Sequence, residues 1–372
     1  MSNGGEHVAR RTTVYDVAAR AGVSIATVSF AFRQPNRVKP ATLDRVLAVA
    51  QEIGYVPSAS ARGLAHGRTG ALGLYSFDLM LDAPQGSGRR AGRDGTVPSG
   101  SSTDDDVEAD VRAFPLYVDE VQRGFELECW RSGHALLLGS GTGPETAPVT
   151  DLAGRADGLA VFPGPLSDET LIYLSRRIPV VTFSPEPGRA PLLHVGVDNR
   201  AGVHLLVDHL HGVHGLRDIA FVGSLETPDF RLRHAAFVER MGYHDLPVDA
   251  DPVDQTDPAE PDPFVRLREV VAAGRLPQAL VCANDQLALV VLDLFEELGV
   301  SVPQDVTVTG FDGILAGRLM RPSLTTVRQP MERMGSFAAR ALLDSGGQLW
   351  TQSRSQTFPA RLLPRESCGC AS

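Results

Sequence analysis

Two hydrophobic rhythms divide this chain. Val14, Val17, Ala18 and Ala21 recur three and four apart, Gly22 breaks the stripe, and a second apolar stretch runs from Ile25 to about Phe32. Thr13, with Asp16 three residues on, offers an oxygen and a carboxylate to the start of the first helix; Ser24 is placed to cap the second. A third stripe, Leu43, Val46, Leu47, Ala50 and Ile53, predicts a helix from Pro40 that closes a small core over the other two. Two short helices around a glycine turn follow the helix-turn-helix plan, so residues 1–57 form a three-helix head.

From Ala71 the rhythm changes. Apolar runs at 71–77, 135–138, 158–162 and 179–183 predict buried strands, with helices at 116–131 and 168–177. A second series places strands at 219–222, 279–282 and 306–309 and helices at 200–211, 231–241 and 285–298. Strand–helix alternation of this kind predicts an α/β body of two similar lobes with parallel sheets over 71–372. Residues 58–70 join head to body; the stretch from Ser58 to Leu64 is too short to hold a helix alone in water, and Gly63 weakens it further. Residues 78–113 are rich in Gly, Ser and Pro, carry Arg89, Arg90 and Arg93 and then Asp104, Asp105, Asp106, Glu108 and Asp110, and keep no periodicity, which predicts a disordered insertion. A tolerated surface insertion is its simpler reading, a regulatory lid the alternative.

Charge sharpens this division. The 372 residues carry a net −10, yet residues 1–69 hold nine Lys and Arg against four Asp and Glu, a balance of +5, and the remainder holds 26 against 41, a balance of −15. A basic head on an acidic body is the asymmetry expected when only the head meets phosphate. No opening h-region and no apolar run of membrane-spanning length is visible, and four unevenly spaced cysteines make no disulfide scaffold, so a cytoplasmic protein away from membranes is expected.

The runs Val14-Tyr15-Asp16-Val17-Ala18, Ala21-Gly22-Val23-Ser24 and Ala26-Thr27-Val28-Ser29, in this order, closely resemble the amino-terminal headpiece of the lactose-repressor (LacI/GalR) family of bacterial transcription regulators. That resemblance implies a ligand-responsive repressor binding near-palindromic operator DNA as a homodimer, with a two-lobed effector domain like the periplasmic sugar-binding proteins. It implies a small-molecule effector, sugar or related metabolite, and no cofactor. Thr13 and Tyr15 fall on family positions at phosphate, the segment from Ser24 to Phe30 in the major groove, and Arg33 and Arg37 near the backbone. Ser58 to Leu64 matches a hinge that becomes helical on DNA, with Leu64 as the minor-groove wedge and Ala61 beside it. A plain flexible linker is the rival reading of that stretch.

Departures from the family pattern bear on DNA readout. Lys39 stands where a serine cap is usual, and Phe30 replaces a common arginine. Ile25, Ala26 and Phe30 make no bidentate hydrogen bonds, so readout must lean on thymine methyls, on the hydroxyls of Ser24, Thr27 and Ser29, and on the hinge. Phe30 can equally be core.

In the body, the run from Arg231 to Phe237 puts the family's effector-holding arginine on Arg233, the run from Ala283 to Ala288 puts its asparagine on Asn284, with Asp285 capping the helix, and Gly310 to Gly313 puts its aspartate on Asp312. Ser184 stands where the family can have an acidic contact, Gly313 where it often has a second acidic residue, and the acidic, Pro-rich run 249–263 replaces an aromatic platform. The resemblance also implies three crossings between lobes, near Leu193, residues 322–326 and Ser353.

Other chemistry is weaker. Gly139, Gly141 and Gly143 lack the third glycine of a dinucleotide fingerprint at its spacing. His204, Asp208, His209, His211 and His214 crowd one helix and its end, and read as solvated surface rather than a metal set; Cys368-Gly369-Cys370 reads as a frayed tail, with metal binding or oxidation its alternative. The rival functions are a solute-binding receptor with a non-functional head, and an enzyme of sugar or nucleotide metabolism.

Overall fold

The computed structural model describes residues 12–56, 68–77, 116–141, 146–162, 164, 166–184, 190–225, 227–254 and 264–371. By contact the chain divides into residues 1–69 and 70–372.

Among its described residues the first unit holds three α-helices, α1 (Val14–Ala21), α2 (Ile25–Arg33) and α3 (Pro40–Glu52). Asp16 closes the start of α1 by accepting from the Thr13 amide at 2.8 Å and the Thr13 hydroxyl at 2.7 Å. Gly22 ends it in the left-handed region at φ 63°, a conformation that glycine reaches without Cβ strain. The Ser24 hydroxyl accepts from the Thr27 amide at 3.1 Å and opens α2. Val17, Val28 and Val46, one from each helix, are fully buried at the centre. At Lys39 no side chain caps α3; Pro40 at its first turn supplies the preset φ instead.

The second unit holds two sheets, each forming the centre of a lobe. In lobe 1 the strands β1 (Ala71–Phe77), β2 (Ala135–Gly141), β3 (Leu159–Val161), β4 (Val180–Thr182) and β5 (Leu193–Val197) alternate with α4 (Leu116–Arg131), α5 (Ala147–Arg155) and α6 (Asp168–Ser175). Lobe 2 follows with α7 (Asn199–Gly212), β6 (Ile219–Val222), α8 (Pro228–Tyr243), α9 (Val265–Ala272), β7 (Ala279–Cys282), α10 (Asp285–Glu297), β8 (Thr307–Asp312), α11 (Leu315–Leu319) and β9 (Thr325–Arg328). The chain returns to lobe 1 for α12 (Met331–Ser345) and β10 (Arg354–Phe358), and ends in lobe 2 with β11 (Arg361–Leu363) and a 3-10 turn, Glu366–Cys368. The strand orders are β10-β5-β4-β3-β1-β2 and β11-β9-β8-β7-β6. All pairs are parallel except β11 on β9, so the second lobe carries one antiparallel edge that the strand pattern did not predict.

Three expectations need correction. The chain changes lobes after β5, after β9 and after β10, at residues 198, 329–330 and 359–360, because 193, 325–326 and 354 are themselves strand residues. Strand β2 is not buried: it is the edge of its sheet, and Leu138 is 58% exposed. The tail is not frayed: the Ser367 hydroxyl, fully buried, donates to the Val308 carbonyl at 2.6 Å and accepts from the Thr325 amide at 2.8 Å.

Lobe 1 is clamped by α4 against α12. A Cβ at Gly124 would lie 1.9 Å from the Glu332 carbonyl oxygen, and one at Gly335 would lie 1.9 Å from that of Val121, so the two backbones meet where only glycine fits. Phe125 beside them is fully buried, which contributes about 1.5–3 kcal/mol. No helix among the described residues is long and apolar enough to cross a membrane.

Candidate DNA-binding face and ligand cleft

On the head, burial of Val28 and Ala31 turns the opposite side of α2 outward. Ile25 is 42% exposed, Ala26 is exposed, and Tyr15 on α1 is 67% exposed. Phe30 is not core: it is 36% exposed, and the Arg37 guanidinium lies over its ring, 4.5 Å from the centroid. Arg37 also donates to the Gln34 side chain at 3.1 Å. Ser24 and Thr27 hold each other's hydroxyls at 2.9 Å, and Ser29 is half-buried. Phe30, Arg37, Lys39 and Arg45 line one groove with Ser24, Thr27 and Thr42, so three cations share a surface with the exposed face of α2. The Arg33 side chain, Ala61, Leu64 and the insertion 78–113 lie outside the described residues.

In the body, three of the four predicted effector residues gather in lobe 2. Arg233, on α8, is buried; its Nε donates to the Asn199 Oδ1 at 2.8 Å, one terminal nitrogen donates to the Ala283 carbonyl at 2.6 Å, and the same nitrogen lies 3.6 Å from Asp312. Phe311 presents its ring face to the guanidinium, 3.9 Å from the centroid. Asp312, at the end of β8, accepts from the Gln329 side chain at 2.6 Å and holds φ 133°, a strained backbone for a non-glycine residue. Burial pushes its carboxyl above the usual range, with Arg233 pulling the other way. Asn199 in turn donates to Asp229 at 2.8 Å.

The helix cap falls on Asn284 and not, as expected, on Asp285. Asn284 is the cap, accepting from the Leu287 amide at 2.9 Å. Asp285, fully buried, accepts from the amides of Gly313 and Ile314 at 2.7 and 2.8 Å and from the Thr326 hydroxyl, tying α10 to β8 and β9. Gly313 has no room for a second acidic side chain, because a Cβ there would lie 2.5 Å from Arg328 Cδ at φ 76°.

Ser184 is buried at the end of β4, on lobe 1. What sequence reasoning missed lies on that lobe. Phe162 stacks on Phe183 with centroids 4.6 Å apart, and Tyr117, in the first turn of α4, meets Phe162 edge-on at 5.9 Å. Burial, with Asp229 and Asp312 nearby, pushes the Tyr117 phenol well up, so it stays a neutral hydrogen-bond donor. Those carboxylates belong to lobe 2, so Tyr117 lies within electrostatic reach of the polar set. Arg328 of β9 completes the bridge, donating to Glu120 of α4 at 2.9 Å and to the Gly313 carbonyl.

A helix-turn-helix head and a two-lobed body with a polar set at its cleft define a DNA-binding transcriptional regulator whose body is built to hold a small molecule. Residues 13–58 match the bacterial regulatory proteins of the lacI family, and residues 207–368 match the periplasmic binding protein-like domain. The chain thus joins a lacI-family head to a periplasmic binding protein-like domain. Among its relatives, the HTH-type transcriptional repressor PurR of Erwinia tasmaniensis is 29% identical over 362 residues, covering 95% of this chain and 96% of that protein. PurR of Salmonella typhi is 28% identical over 364 residues, with 95% and 96% covered. Similar solved structures include the lac repressor dimer bound to operator and the anti-inducer ONPF, with TM-score 0.73 and 24% identity over 96% of this chain and 99% of that one. The transcriptional regulator CelR–cellobiose complex has TM-score 0.62 and 24% identity over 96% and 100%.

Proposed function

We propose that this chain is a cytoplasmic repressor, a binding protein rather than an enzyme, that sits on a near-palindromic operator as a homodimer and is controlled by a small sugar-like metabolite in the cleft. The observation that carries the reading is the continuous chain Asp229–Asn199–Arg233–Asp312–Gln329. Asn199 stands one residue beyond the first crossing and Gln329 lies within the second. A ligand whose hydroxyls replace any of these partners changes the hydrogen bonding of the crossings themselves, which is the differential contact that a two-state response requires. Arg233, Asn284 and Asp312 would meet such hydroxyls from lobe 2, and Ser184 from lobe 1, against the Tyr117 and Phe162 rings.

On DNA, Tyr15, Thr13, Arg33 and Arg37 would meet phosphate, while Ile25, Ala26 and Phe30 give apolar readout and Leu64, beside Ala61, enters the minor groove. Two-fold operators require two-fold proteins, and lobe surfaces offer apolar pairs for a second copy: Leu127 and Trp130 are 42% and 75% exposed on α4, and Leu315 and Leu319 are 61% and 69% exposed on α11.

Selection of bound fragments from the source genome, followed by release with sugars and nucleosides, tests the proposal. Specific binding that weakens with salt is expected, with a slope reduced by about 1 per half-site in Arg37→Ala. A full chain with no salt-dependent DNA affinity that still binds a sugar would be a solute receptor instead.

A further inference from the structure

The histidines that crowd the end of α7 and the cysteines of the chain's last residues belong to one cluster. His209 lies in the last turn of α7 and His214 just beyond it; Cys368 ends the 3-10 turn, and Cys370 follows Gly369, whose φ of 89° turns the chain back. The four ligand atoms, two imidazole nitrogens and two sulfurs, all lie within 4.8 Å of one another, the one such group found among the described residues. His209 Nε2 is 3.2 Å from His214 Nε2, 3.4 Å from Cys368 Sγ and 3.6 Å from Cys370 Sγ, and His214 Nε2 is 3.5 Å from Cys370 Sγ.

These separations have a simple origin in metal chemistry. With zinc bonds of about 2.0–2.1 Å to nitrogen and about 2.3 Å to sulfur, the edges of a tetrahedron are about 3.3 Å between nitrogens, about 3.6 Å between nitrogen and sulfur and about 3.8 Å between sulfurs. Hydrogen bonding alone is a poor reason for the cluster, because thiols are weak donors and two imidazoles facing through Nε2 can share one proton at best.

We propose that His209, His214, Cys368 and Cys370 bind one zinc ion in a closed, structural Cys2His2 site. The two thiols bind as thiolates and release two protons to solvent, and the two imidazoles bind neutral through Nε2, so the occupied site is uncharged. Four protein donors leave no open position for substrate water, so the site is structural rather than catalytic. Its place in the fold gives the consequence. The ion fastens the segment after β11 to the end of α7, and so holds the piece of chain that has just made the third crossing.

The test uses the tag-free full chain. Zinc measured by mass spectrometry should approach one per chain in the parent and in His211→Gln, and fall below about a tenth in Cys370→Ser and in His214→Gln. Cobalt(II) added to metal-stripped parent should give the visible bands of a tetrahedral thiolate site, absent in Cys370→Ser, and stripping should lower Tm by about 5 °C or more. Circular dichroism of each variant separates lost ligation from lost folding. Stripped but folded parent that takes up neither metal, zinc retained in both ligand variants, or a Cys368–Cys370 disulfide that forms in air and excludes metal would each overturn the site.

Discussion

The two faces of the cleft are built on opposite principles. Lobe 1 presents rings, with Phe162 stacked on Phe183 and Tyr117 against them. Lobe 2 presents a buried guanidinium, a buried carboxylate and two amides that already satisfy one another. Stacked rings supply area with little directional demand and tolerate a shift of one lobe over the other. A buried charged set has fixed geometry and a high cost of disruption, so it registers which partner is present. The contrast casts lobe 2 as the reader of a ligand and lobe 1 as the surface that closes on it.

Breaking the polar face should cost most. Arg233→Leu leaves Asp312 buried with Gln329 as its remaining partner, and we expect denaturant unfolding to show a loss of about 3–5 kcal/mol. Adding Asp312→Leu should recover most of that loss, because no orphaned charge remains. A single variant as stable as the parent would show that water reaches the pair. The aromatic face should yield less: Phe162→Leu keeps an apolar filler but loses both ring contacts, for about 1–2 kcal/mol. Equal losses on the two faces would remove the distinction between them.

Chemistry decides how legible each region is in the sequence. The head was readable because its signals are local: Thr13 and Asp16, Gly22 and Ser24 each act within a few residues. Arg233 and Asp312 were legible through resemblance alone, and nothing near them in sequence announced Asn199 or Gln329, which reach them across 34 and 17 residues. The cap falls on Asn284 rather than Asp285 although both side chains can cap a helix, because two amides 28 and 29 residues away engage Asp285. The crossings, located by resemblance alone, fall beyond their expected places, and a strand that leaves its lobe at its end has the same apolar pattern as one that does not. Tyr117 lies in the first turn of α4, and nothing near it in sequence marks it as a cleft side chain. The cysteines and histidines were legible separately, but sequence gives no measure of a separation that folding reduces from 159 residues to 3.4 Å.

The smallest effect belongs to an ion pair that joins the two faces. Arg328 reaches Glu120 across the lobes at 2.9 Å, with side chains 30% and 21% exposed. Partial exposure lets water and salt screen the pair, so its net contribution should be about 0–1 kcal/mol. Glu120→Gln keeps an acceptor of the same shape and removes the charge, and should lower unfolding stability by less than about 1 kcal/mol in dilute buffer and by nearly nothing in molar salt. Arg328 would still hold the Gly313 carbonyl, so the turn after β8 keeps its shape in the variant. A loss above about 2 kcal/mol, unchanged by salt, would mean that the pair is desolvated and acts as a latch. Lobe 1 would then carry a charged reading element of its own, and the division between a reading face and a closing face would fail at Glu120.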